Sequence, residues 1–171
     1  MTQVWLPPSE YYATLPKQAA SGGVLFRDTE GRVLLVEPNY GSETWEIPGG
    51  GLDNDSESPW KAARREVNEE LGLDVVPGRL LVVDWVPPQP DGRPALENHV
   101  FDGGVLDEAQ MASLRLVDPE LKRWKFCTRA ESGGILKPHL ARRVTECLDA
   151  LNTGRTPYLE NGFDPVALET S

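Results

Sequence analysis

Cysteine, long apolar runs and net positive charge are all scarce in this chain of 171 residues. Its two cysteines, Cys127 and Cys147, form neither a Cys-x-x-Cys pair nor a Cys/His spacing suited to zinc, and they are too few for a disulfide framework. We expect two reduced, buried thiols. No apolar run is long enough to span a membrane, and the N-terminus lacks the basic-then-apolar pattern of a secretion signal. These absences predict a cytoplasmic protein with no membrane partner.

The charge balance argues against binding to a nucleic-acid polymer. Asp and Glu total 27 and Lys and Arg total 17, which gives a net charge of -10. Neutralising a phosphate backbone requires clustered Lys and Arg rather than a surplus of carboxylates. An acidic protein can still bind phosphates through a metal ion. The length fits one globular domain, and five Trp and four Phe provide large side chains for its core.

Short apolar runs predict strands of a sheet that is covered on both faces. The runs 23–26 and 33–36 flank the turn sequence 28–31, which predicts a β-hairpin. These runs and a later one at 80–83 are continuously apolar rather than alternating, which is typical of a sheet with helices on each side. Further strands are predicted at 45–47, 99–106 and 124–127.

Two amphipathic helices are predicted, each with a Pro in its expected first turn. The first has apolar residues at three- and four-residue steps from Trp60 to Leu71 and stops at Gly72. The second has a similar pattern from Leu140 to Leu151 and stops at Gly154. The whole chain therefore follows the order β, β, β, helix, β, β, β, helix, which predicts an α/β fold.

The two ends of the chain differ in composition from the rest. Residues 1–18 contain three Pro and few periodic apolar positions, which indicates an arm, and residues 153–171 form a turn-rich tail. We therefore predict one domain over residues 19–152. Both ends carry aromatic residues, so we also predict a homodimer in which the arm or the tail packs across the interface. These aromatic residues are Trp5, Tyr11, Tyr12, Tyr158 and Phe163.

The segment from Gly51 to Leu73, GLDNDSESPWKAARREVNEELGL, places three carboxylates together. At about 100° per residue, Glu66, Glu69 and Glu70 fall on one helix face, away from the apolar stripe. Like charges at this spacing destabilise a helix unless a cation offsets them. Carboxylate oxygens on a rigid helix suit Mg²⁺ or Mn²⁺, which keep several waters and bridge to substrate phosphates. The pattern predicts a divalent-metal site.

The same segment resembles the Nudix box, G-x5-E-x7-R-E-U-x-E-E-x-G-U, where U is aliphatic. Every specified place is matched, by Gly51, Glu57, Arg65, Glu66, Val67, Glu69, Glu70, Gly72 and Leu73. Resemblance to the Nudix hydrolase family implies an α/β/α sandwich with a mixed β-sheet between helices. It also implies a metal-dependent pyrophosphohydrolase that cleaves the diphosphate linkage of a small-molecule nucleoside diphosphate derivative.

The resemblance assigns roles within the box. It implies that Glu66, Glu69 and Glu70 are ligands of Mg²⁺ or Mn²⁺ and that Glu66 and Glu69 take part in catalysis. In mutator-type members of the family, the place of Glu66 has also been assigned to orienting or deprotonating the attacking water. Arg65 resembles the Arg that pairs with the early Glu of the box, here Glu57, and so holds the loop against the helix.

The glycine loop before the helix departs from the usual family pattern. Family members usually carry Pro-Gly-Gly with the second Gly opening the box, whereas here the third Gly of the run 48–51 opens it. A Gly of this loop commonly gives a backbone carbonyl to the metal. Counting back from the box selects Gly50, and Gly49 stays possible because of the shift. Each Gly is equally suited to a simple tight turn.

Residues outside the box are weaker candidates. Many family members have a further acidic residue in the second half of the chain, for which Glu120 is the first choice as a substrate-binding residue or metal ligand, ahead of Glu97 and Glu131. An ordinary solvated carboxylate is the alternative for each. Base stacking is considered for three aromatic residues that could equally belong to the core or a rim, namely Tyr40, Trp85 and Trp124.

Several functions compete within the resemblance. A nucleoside triphosphate or damaged dNTP is slightly favoured as substrate, because the acidic and aromatic stretch 118–124 could contact a base edge. ADP-ribose or another nucleoside diphosphate sugar is the alternative, because Pro88 stands where ADP-ribose-cleaving members tend to carry a Pro. A non-catalytic Nudix ligand-binding module is a remote alternative, since all three box glutamates are present. A related isoprenoid isomerase ranks last, because its expected Cys and Glu have no obvious counterpart.

Overall fold

The fold is built around a mixed β-sheet with helices on both faces. The structure is a computed structural model that describes residues 5–39 and 44–169. Its strands are β1 (Ala19–Arg27), β2 (Val33–Pro38), β3 (Gly49–Gly51), β4 (Leu80–Val86), β5 (Leu96–Val105), β6 (Leu121–Cys127) and β7 (Tyr158–Glu160). Its helices are α1 (Pro8–Thr14), α2 (Pro59–Leu71), α3 (Glu108–Ser113), α4 (Arg129–Ile135), α5 (Pro138–Thr153) and α6 (Pro165–Glu169).

The strand order places β1 near the middle of the sheet. The order is β6-β2-β1-β5-β4-β7, and β3 pairs with β1 off this path. Strand β1 is antiparallel to β2 and β3 but parallel to β5, and β4 is antiparallel to β5 but parallel to β7. The predicted α/β fold with a mixed sheet is confirmed.

The predicted hairpin joins β1 to β2. Arg27 lies opposite Val33, and the turn between them includes Gly31 at φ +78°, which favours glycine. The buried carboxylate of Asp28 accepts hydrogen bonds from the backbone N–H groups of Glu30 and Arg32 at 3.0 and 2.8 Å. The turn therefore satisfies its own polar groups and fixes the hairpin register.

Alternate residues of β1 pack on opposite faces of the sheet. Val24 and Phe26 belong to the same buried cluster as Val67 of α2, whereas Leu25 belongs to the cluster that contains Val144 of α5. A strand buried on both faces reads as a continuous apolar run, which is the pattern that predicted this arrangement. The thiols of Cys127 and Cys147 are free and buried, as expected.

Both predicted helices are present with the predicted ends. Helix α2 has Ser58 as its N-cap, with the hydroxyl accepting from the Lys61 N–H at 3.4 Å, and Gly72 ends it at φ 67°. Helix α5 ends in the same way at Gly154, with φ 72°. Among the described residues, none of the helices has the length and apolarity that a membrane crossing requires.

The sequence patterns missed several short elements. The segment 45–47 forms only isolated bridges, because Glu46 pairs with Val36 on one side while Trp45 pairs with Leu136 on the other. Helices α1, α3, α4 and α6 and strands β3 and β7 were not predicted. Strand β7 lies in the turn-rich tail and brings Leu159 into the core with no exposed surface. The boundaries of arm, domain and tail stay predictions, as does the cytoplasmic location.

Candidate active site

Arg65 connects the loop before α2 to the helix itself. Its guanidinium donates to both oxygens of Glu57, at 2.9 and 3.0 Å, and to the carbonyl of Gly51 at 2.9 Å. Glu57 also accepts from the backbone N–H of Asp53 at 2.8 Å. The paired Arg65 guanidinium is the main cause that lowers the pKa of Glu57 to about 2, so this carboxylate stays charged. The predicted contact between Arg65 and Glu57 is therefore present.

The same guanidinium also contacts two box glutamates. Nη1 of Arg65 lies 2.9 Å from Oε1 of Glu66 and 2.9 Å from Oε2 of Glu69. These carboxylates raise the pKa of Arg65 after the larger contribution of Glu57. Burial raises the pKa of Glu66, and the hydrogen bond from Arg65 opposes the rise. Nε of Arg65 also lies 3.2 Å from Oδ2 of Asp53, so this one cation contacts four carboxylates.

Glu70 differs from its neighbours because it is buried without a cationic partner. Glu70 is only 9% exposed, and its Oε2 accepts a hydrogen bond from the Gly49 N–H at 3.0 Å. Among the described residues, no Lys or Arg forms an ion pair with Glu70. Burial raises its pKa to about 8, against the Gly49 hydrogen bond, and the charge of Glu66 adds to the rise. A cation bound here would supply the missing opposite charge.

The glycine loop lies against both Glu66 and Glu70. A Cβ atom at Gly50 would stand 2.4 Å from Oε1 of Glu66, and one at Gly49 would stand 2.4 Å from the carbonyl oxygen of Gly22. At Gly49 only glycine permits this approach, because the clash is with backbone and φ is +142°, whereas a side chain at Gly50 would displace the Glu66 carboxylate. Carboxylate oxygens beside a loop backbone are the donor types that hard divalent cations prefer. The chemistry of the residues present therefore fits Mg²⁺ or Mn²⁺.

The arrangement does not by itself form a complete cage. Within the part of the chain that the structure describes, no group of three or more His, Cys, Asp or Glu side chains is placed to hold a metal ion. Glu66 and Glu69 instead pair with Arg65, as described above. The assignment of Glu66, Glu69, Glu70 and Gly50 as metal ligands stays a prediction.

The acidic candidates outside the box occupy different settings. Glu120 lies in an exposed turn, where its backbone N–H donates to Oδ1 of Asp118 at 2.7 Å. Glu97 accepts from Gln18 at 3.3 Å, and Glu131 caps helix α4 through Thr128. The substrate-binding role predicted for Glu120 stays a prediction, whereas Glu131 has a structural role.

Asp118 is an acidic neighbour of Glu70 that the sequence reasoning did not select. Its charge contributes to the raised pKa of Glu70, and the adjacent Val117 N–H donates to the Glu70 carbonyl at 3.1 Å. The run Asp-Pro-Glu at 118–120 offers two acids, and spacing alone does not tell which of them approaches the helix. In the structure, the loop that contains these acids returns to the end of α2, and this path brings Asp118 close enough to Glu70 for its charge to act on that carboxylate.

Two of the three aromatic candidates for stacking have other surroundings in the structure. Trp124 packs against the core and meets Phe126 edge-on, with ring centroids 6.0 Å apart. Trp85 borders a separate cavity of about 420 Å³ together with Pro88 and Pro94. Tyr40 lies outside the described residues.

A cleft of about 730 Å³ opens beside the glycine loop. Its rim includes the loop 49–51, and its floor is formed by β1 and β5, where the Ser21 hydroxyl and the Asn98 amide oxygen lie 3.0 Å apart. Helix α5 adds Leu140 and Arg143. The volume suits a nucleotide-sized ligand.

A mixed sheet between helices, with the complete box spanning a capped helix and its loop, defines a protein of the Nudix fold. The NUDIX domain profile matches residues 16–147, which is more than half of the chain. The chain belongs to the Nudix family. The resemblance stated from the box residues is thereby confirmed.

Similarity to individual curated proteins is short. An RNA pyrophosphohydrolase of Pseudomonas aeruginosa is 39% identical over 59 residues, which cover 34% of this chain and 36% of that protein. A second RNA pyrophosphohydrolase, from Aeromonas hydrophila, is 41% identical over 51 residues, or 28% of its length. The chain thus spans about a third of the curated relatives that it matches.

Similarity to solved structures covers most of the chain. The MutT protein from Methanosarcina mazei Go1 is 26% identical with a TM-score of 0.63, covering 81% of this chain and 97% of that chain. The NUDIX domain of Shewanella oneidensis NrtR complexed with ADP ribose is 14% identical with a TM-score of 0.66, covering 85% and 99%. An ADP-ribose pyrophosphatase from Streptococcus suis is 20% identical with a TM-score of 0.59, covering 84% and 99%. The last two support the fold alone.

Proposed function

We propose that this protein is a divalent-metal-dependent pyrophosphohydrolase that cleaves the diphosphate linkage of a nucleotide derivative. The observation that carries the proposal is the buried carboxylate of Glu70, which lacks a cationic partner among the described residues and lies beside Glu66 and the glycine loop. A nucleotide-sized cleft opens at the same loop. Membership of the Nudix family supports this reaction class.

In this proposal the box residues hold Mg²⁺ or Mn²⁺ and position the phosphates. Glu66, Glu69 and Glu70 provide carboxylate oxygens, and Gly50 provides its carbonyl. When bound, the cation supplies positive charge that attracts the diphosphate and stabilises the charge that develops during phosphoryl transfer. Burial raises the pKa of Glu66, and so suits this side chain to accept a proton from the attacking water.

Arg65 and Glu57 act as positioning residues. Their two hydrogen bonds, together with the bond from Arg65 to the Gly51 carbonyl, fix the loop in relation to the helix. A planar guanidinium makes these contacts at the same time, which a Lys ammonium does not. The glycine loop therefore reaches Glu66 and Glu70 in one defined conformation.

We further propose a nucleoside triphosphate or damaged dNTP as the substrate. The acidic and aromatic stretch 118–124 supports this choice, because such side chains can contact a base edge and the charge of Asp118 acts on Glu70. The case for ADP-ribose is weaker, because Pro88 borders the separate cavity beside Trp85 rather than the cleft at the glycine loop. The net charge of -10 also disfavours an RNA polymer as substrate.

A substrate panel tests the proposal. The purified chain is incubated with each dNTP, with an oxidised dNTP and with ADP-ribose, in the presence of Mg²⁺ or Mn²⁺. Phosphate, pyrophosphate and nucleoside monophosphate are measured separately. We expect pyrophosphate and monophosphate from a nucleoside triphosphate. Release of AMP from ADP-ribose alone would favour the alternative substrate, and no release from any substrate with either metal would contradict the proposed activity.

A further inference from the structure

The C-terminal segment turns through a two-residue hairpin at Asn161 and Gly162. Glu160 and Phe163 exchange two backbone hydrogen bonds across it, at 2.8 and 3.0 Å. Both central residues have positive φ, at 54° and 80°, as a type I′ turn requires. Asn-Gly is a preferred pair for this turn, because both residues tolerate positive φ. The conformation of the hairpin therefore accounts for the presence of this pair.

The Asn-Gly pair is also chemically labile. The backbone nitrogen of the glycine loses its proton and attacks Cγ of the asparagine side chain. A C–N bond forms, and the side-chain nitrogen takes up a proton and leaves as ammonia. Water then opens the five-membered imide at one of its two carbonyls, which gives aspartate or isoaspartate. Glycine favours the attack because it has no side chain to hinder it.

The fold engages the nitrogen that would attack. The Gly162 N–H donates to Oδ1 of Asp84 at 2.9 Å, and both residues are buried. The other oxygen of Asp84 accepts from Nε of Arg143 at 2.7 Å. Loss of the Gly162 proton would place a second negative charge beside a buried carboxylate, which is costly away from water. The reaction therefore requires that this hydrogen bond open first.

Further contacts hold the hairpin against the rest of the fold. The Asn161 N–H donates to the Trp85 carbonyl at 2.8 Å, and the Asn161 carbonyl accepts from Nη2 of Arg142 at 2.8 Å. The Arg142 guanidinium also lies 3.8 Å from the centre of the Phe163 ring. Asn161 itself is exposed. The peptide between Asn161 and Gly162 is thus fixed to both β4 and α5, and it is freed only when the hairpin separates from them.

We propose that Asn161 is a latent deamidation site that the docked hairpin keeps closed. Isoaspartate adds one carbon to the main chain between residues 161 and 162, because the chain then runs through the side-chain carbonyl. The Gly162 N–H is displaced from Asp84, and one buried carboxylate oxygen loses its donor. The modified chain therefore holds its C-terminal segment less firmly. This inference is independent of the proposed function.

Peptide mapping measures the reaction without any substrate or metal. Trypsin cleaves after Arg155 and releases residues 156–171, which contain Asn161 as their sole asparagine. The purified chain is incubated in mildly alkaline buffer with and without guanidinium chloride, and the deamidated peptide is quantified by mass spectrometry. We expect deamidation to be at least tenfold slower in the folded chain than in the unfolded chain, since it must await local opening.

Two variants test whether the contacts of the hairpin control the rate. Arg142→Ala removes the bond to the Asn161 carbonyl and the contact with the Phe163 ring. It should accelerate deamidation of the folded chain at least threefold and leave the rate in guanidinium chloride unchanged. Phe163→Leu removes the ring alone and should act in the same direction, so it decides if a thermal melt shows that Arg142→Ala does not fold. Arg129→Ala, at a surface pair with Asp149, is the matched control.

The outcomes decide both parts of the inference. Equal rates with and without guanidinium chloride, no deamidation in either, or folded variants that react at the wild-type rate would overturn the closed site. Anion exchange separates the acidic products, and the isoaspartate form is compared with Asn161→Asp, which has the same charge without the inserted carbon. We expect the isoaspartate form to melt at a lower temperature than Asn161→Asp. Equal melting temperatures would contradict the displacement of Gly162 from Asp84.

Discussion

The backbone N–H of Gly49 donates to Oε2 of Glu70 over 3.0 Å, and so ties the glycine loop to a carboxylate buried at the end of the box. A charged carboxylate that is buried here costs free energy because it is removed from water. Either protonation or a nearby cation offsets this cost. The raised pKa of about 8 reflects the first of these. Proton and divalent cation therefore compete for the same side chain.

Replacing Glu70 by Gln should abolish most of the activity while leaving the fold intact. The amide oxygen can still accept the Gly49 hydrogen bond, but the negative charge toward a cation is lost. We expect turnover to fall at least about a hundredfold. Steady-state rates with Mg²⁺ and melting temperatures with and without EDTA measure both effects. Glu108→Gln, at an exposed position in the first turn of α3, is the control. Near-normal turnover in Glu70→Gln would contradict the metal-site assignment.

The pH dependence of stability should report the same carboxylate. The pKa of Glu70 is about 8 in the fold, against an ordinary value of 4.5. Because folding raises the pKa, the contribution of this group to stability is complete below about pH 4.5 and is lost as the pH rises through 8. In EDTA, the melting temperature of the wild type should fall between pH 6 and pH 9 by a few degrees more than that of Glu70→Gln. If the melting temperatures of the two proteins change with pH in parallel, the raised pKa of Glu70 is wrong.

Arg65→Lys should weaken the attachment of the loop to the helix. A Lys ammonium retains the charge but loses the two-point contact with Glu57 and the simultaneous contact with Gly51. We expect kcat to fall at least about tenfold and limited proteolysis between Gly51 and Ser58 to become faster. Arg64→Lys, in an exposed pair with Asp74, is the matched control. If proteolysis and kcat are unchanged in Arg65→Lys, the positioning role is wrong.

Asp118 and Glu120 can be compared directly. Asp118 acts on Glu70 through its charge, whereas Glu120 lies in an exposed turn. We expect Asp118→Asn to raise the Mg²⁺ concentration needed for half-maximal activity severalfold, and Glu120→Gln to change it less. Titrating activity with Mg²⁺ measures both values. A larger effect in Glu120→Gln than in Asp118→Asn would instead support Glu120, the residue selected from the sequence.

The predicted homodimer also remains to be measured. The aromatic rings of Tyr11 and Tyr12 in α1 are about half exposed and meet edge-on, with centroids 5.5 Å apart. If the arm packs across an interface, changing both to Ser should halve the mass at micromolar concentration. Light scattering of the wild type and the double variant provides the test, and a monomeric wild type would contradict the prediction.

The sequence predicts the box helix well because periodicity, capping and motif agree there. Pro59 and Gly72 mark the ends of α2, and the resemblance to the box implies the contact between Arg65 and Glu57. It does not predict that Glu70 is buried, because its contact with the Gly49 N–H depends on how the glycine loop folds back toward the helix. Strand β3 is three glycines with no strand preference, so only its pairing with β1 makes it a strand.

The other features that the sequence does not predict depend on contacts between residues far apart in the chain. Strand β7 is three residues long and is stabilised by β4, which lies far away in the sequence. Arg143 appeared only as a polar position within a predicted helix, and nothing in the pattern indicated that Asp84 would hold it against the cleft. Such pairs depend on how the elements are assembled, and local periodicity carries no information about them.

The hydrogen bond from Gly162 to Asp84 links the C-terminal segment to the cleft. Gly162 donates to Asp84, and Asp84 accepts from Arg143, so two buried hydrogen bonds connect the tail to a residue that lines the cleft. A Cβ at Gly162 would stand 2.7 Å from the carbonyl oxygen of His139, so a side chain there would displace this connection. A change in the tail can therefore shift a cleft-lining guanidinium while leaving the box residues untouched.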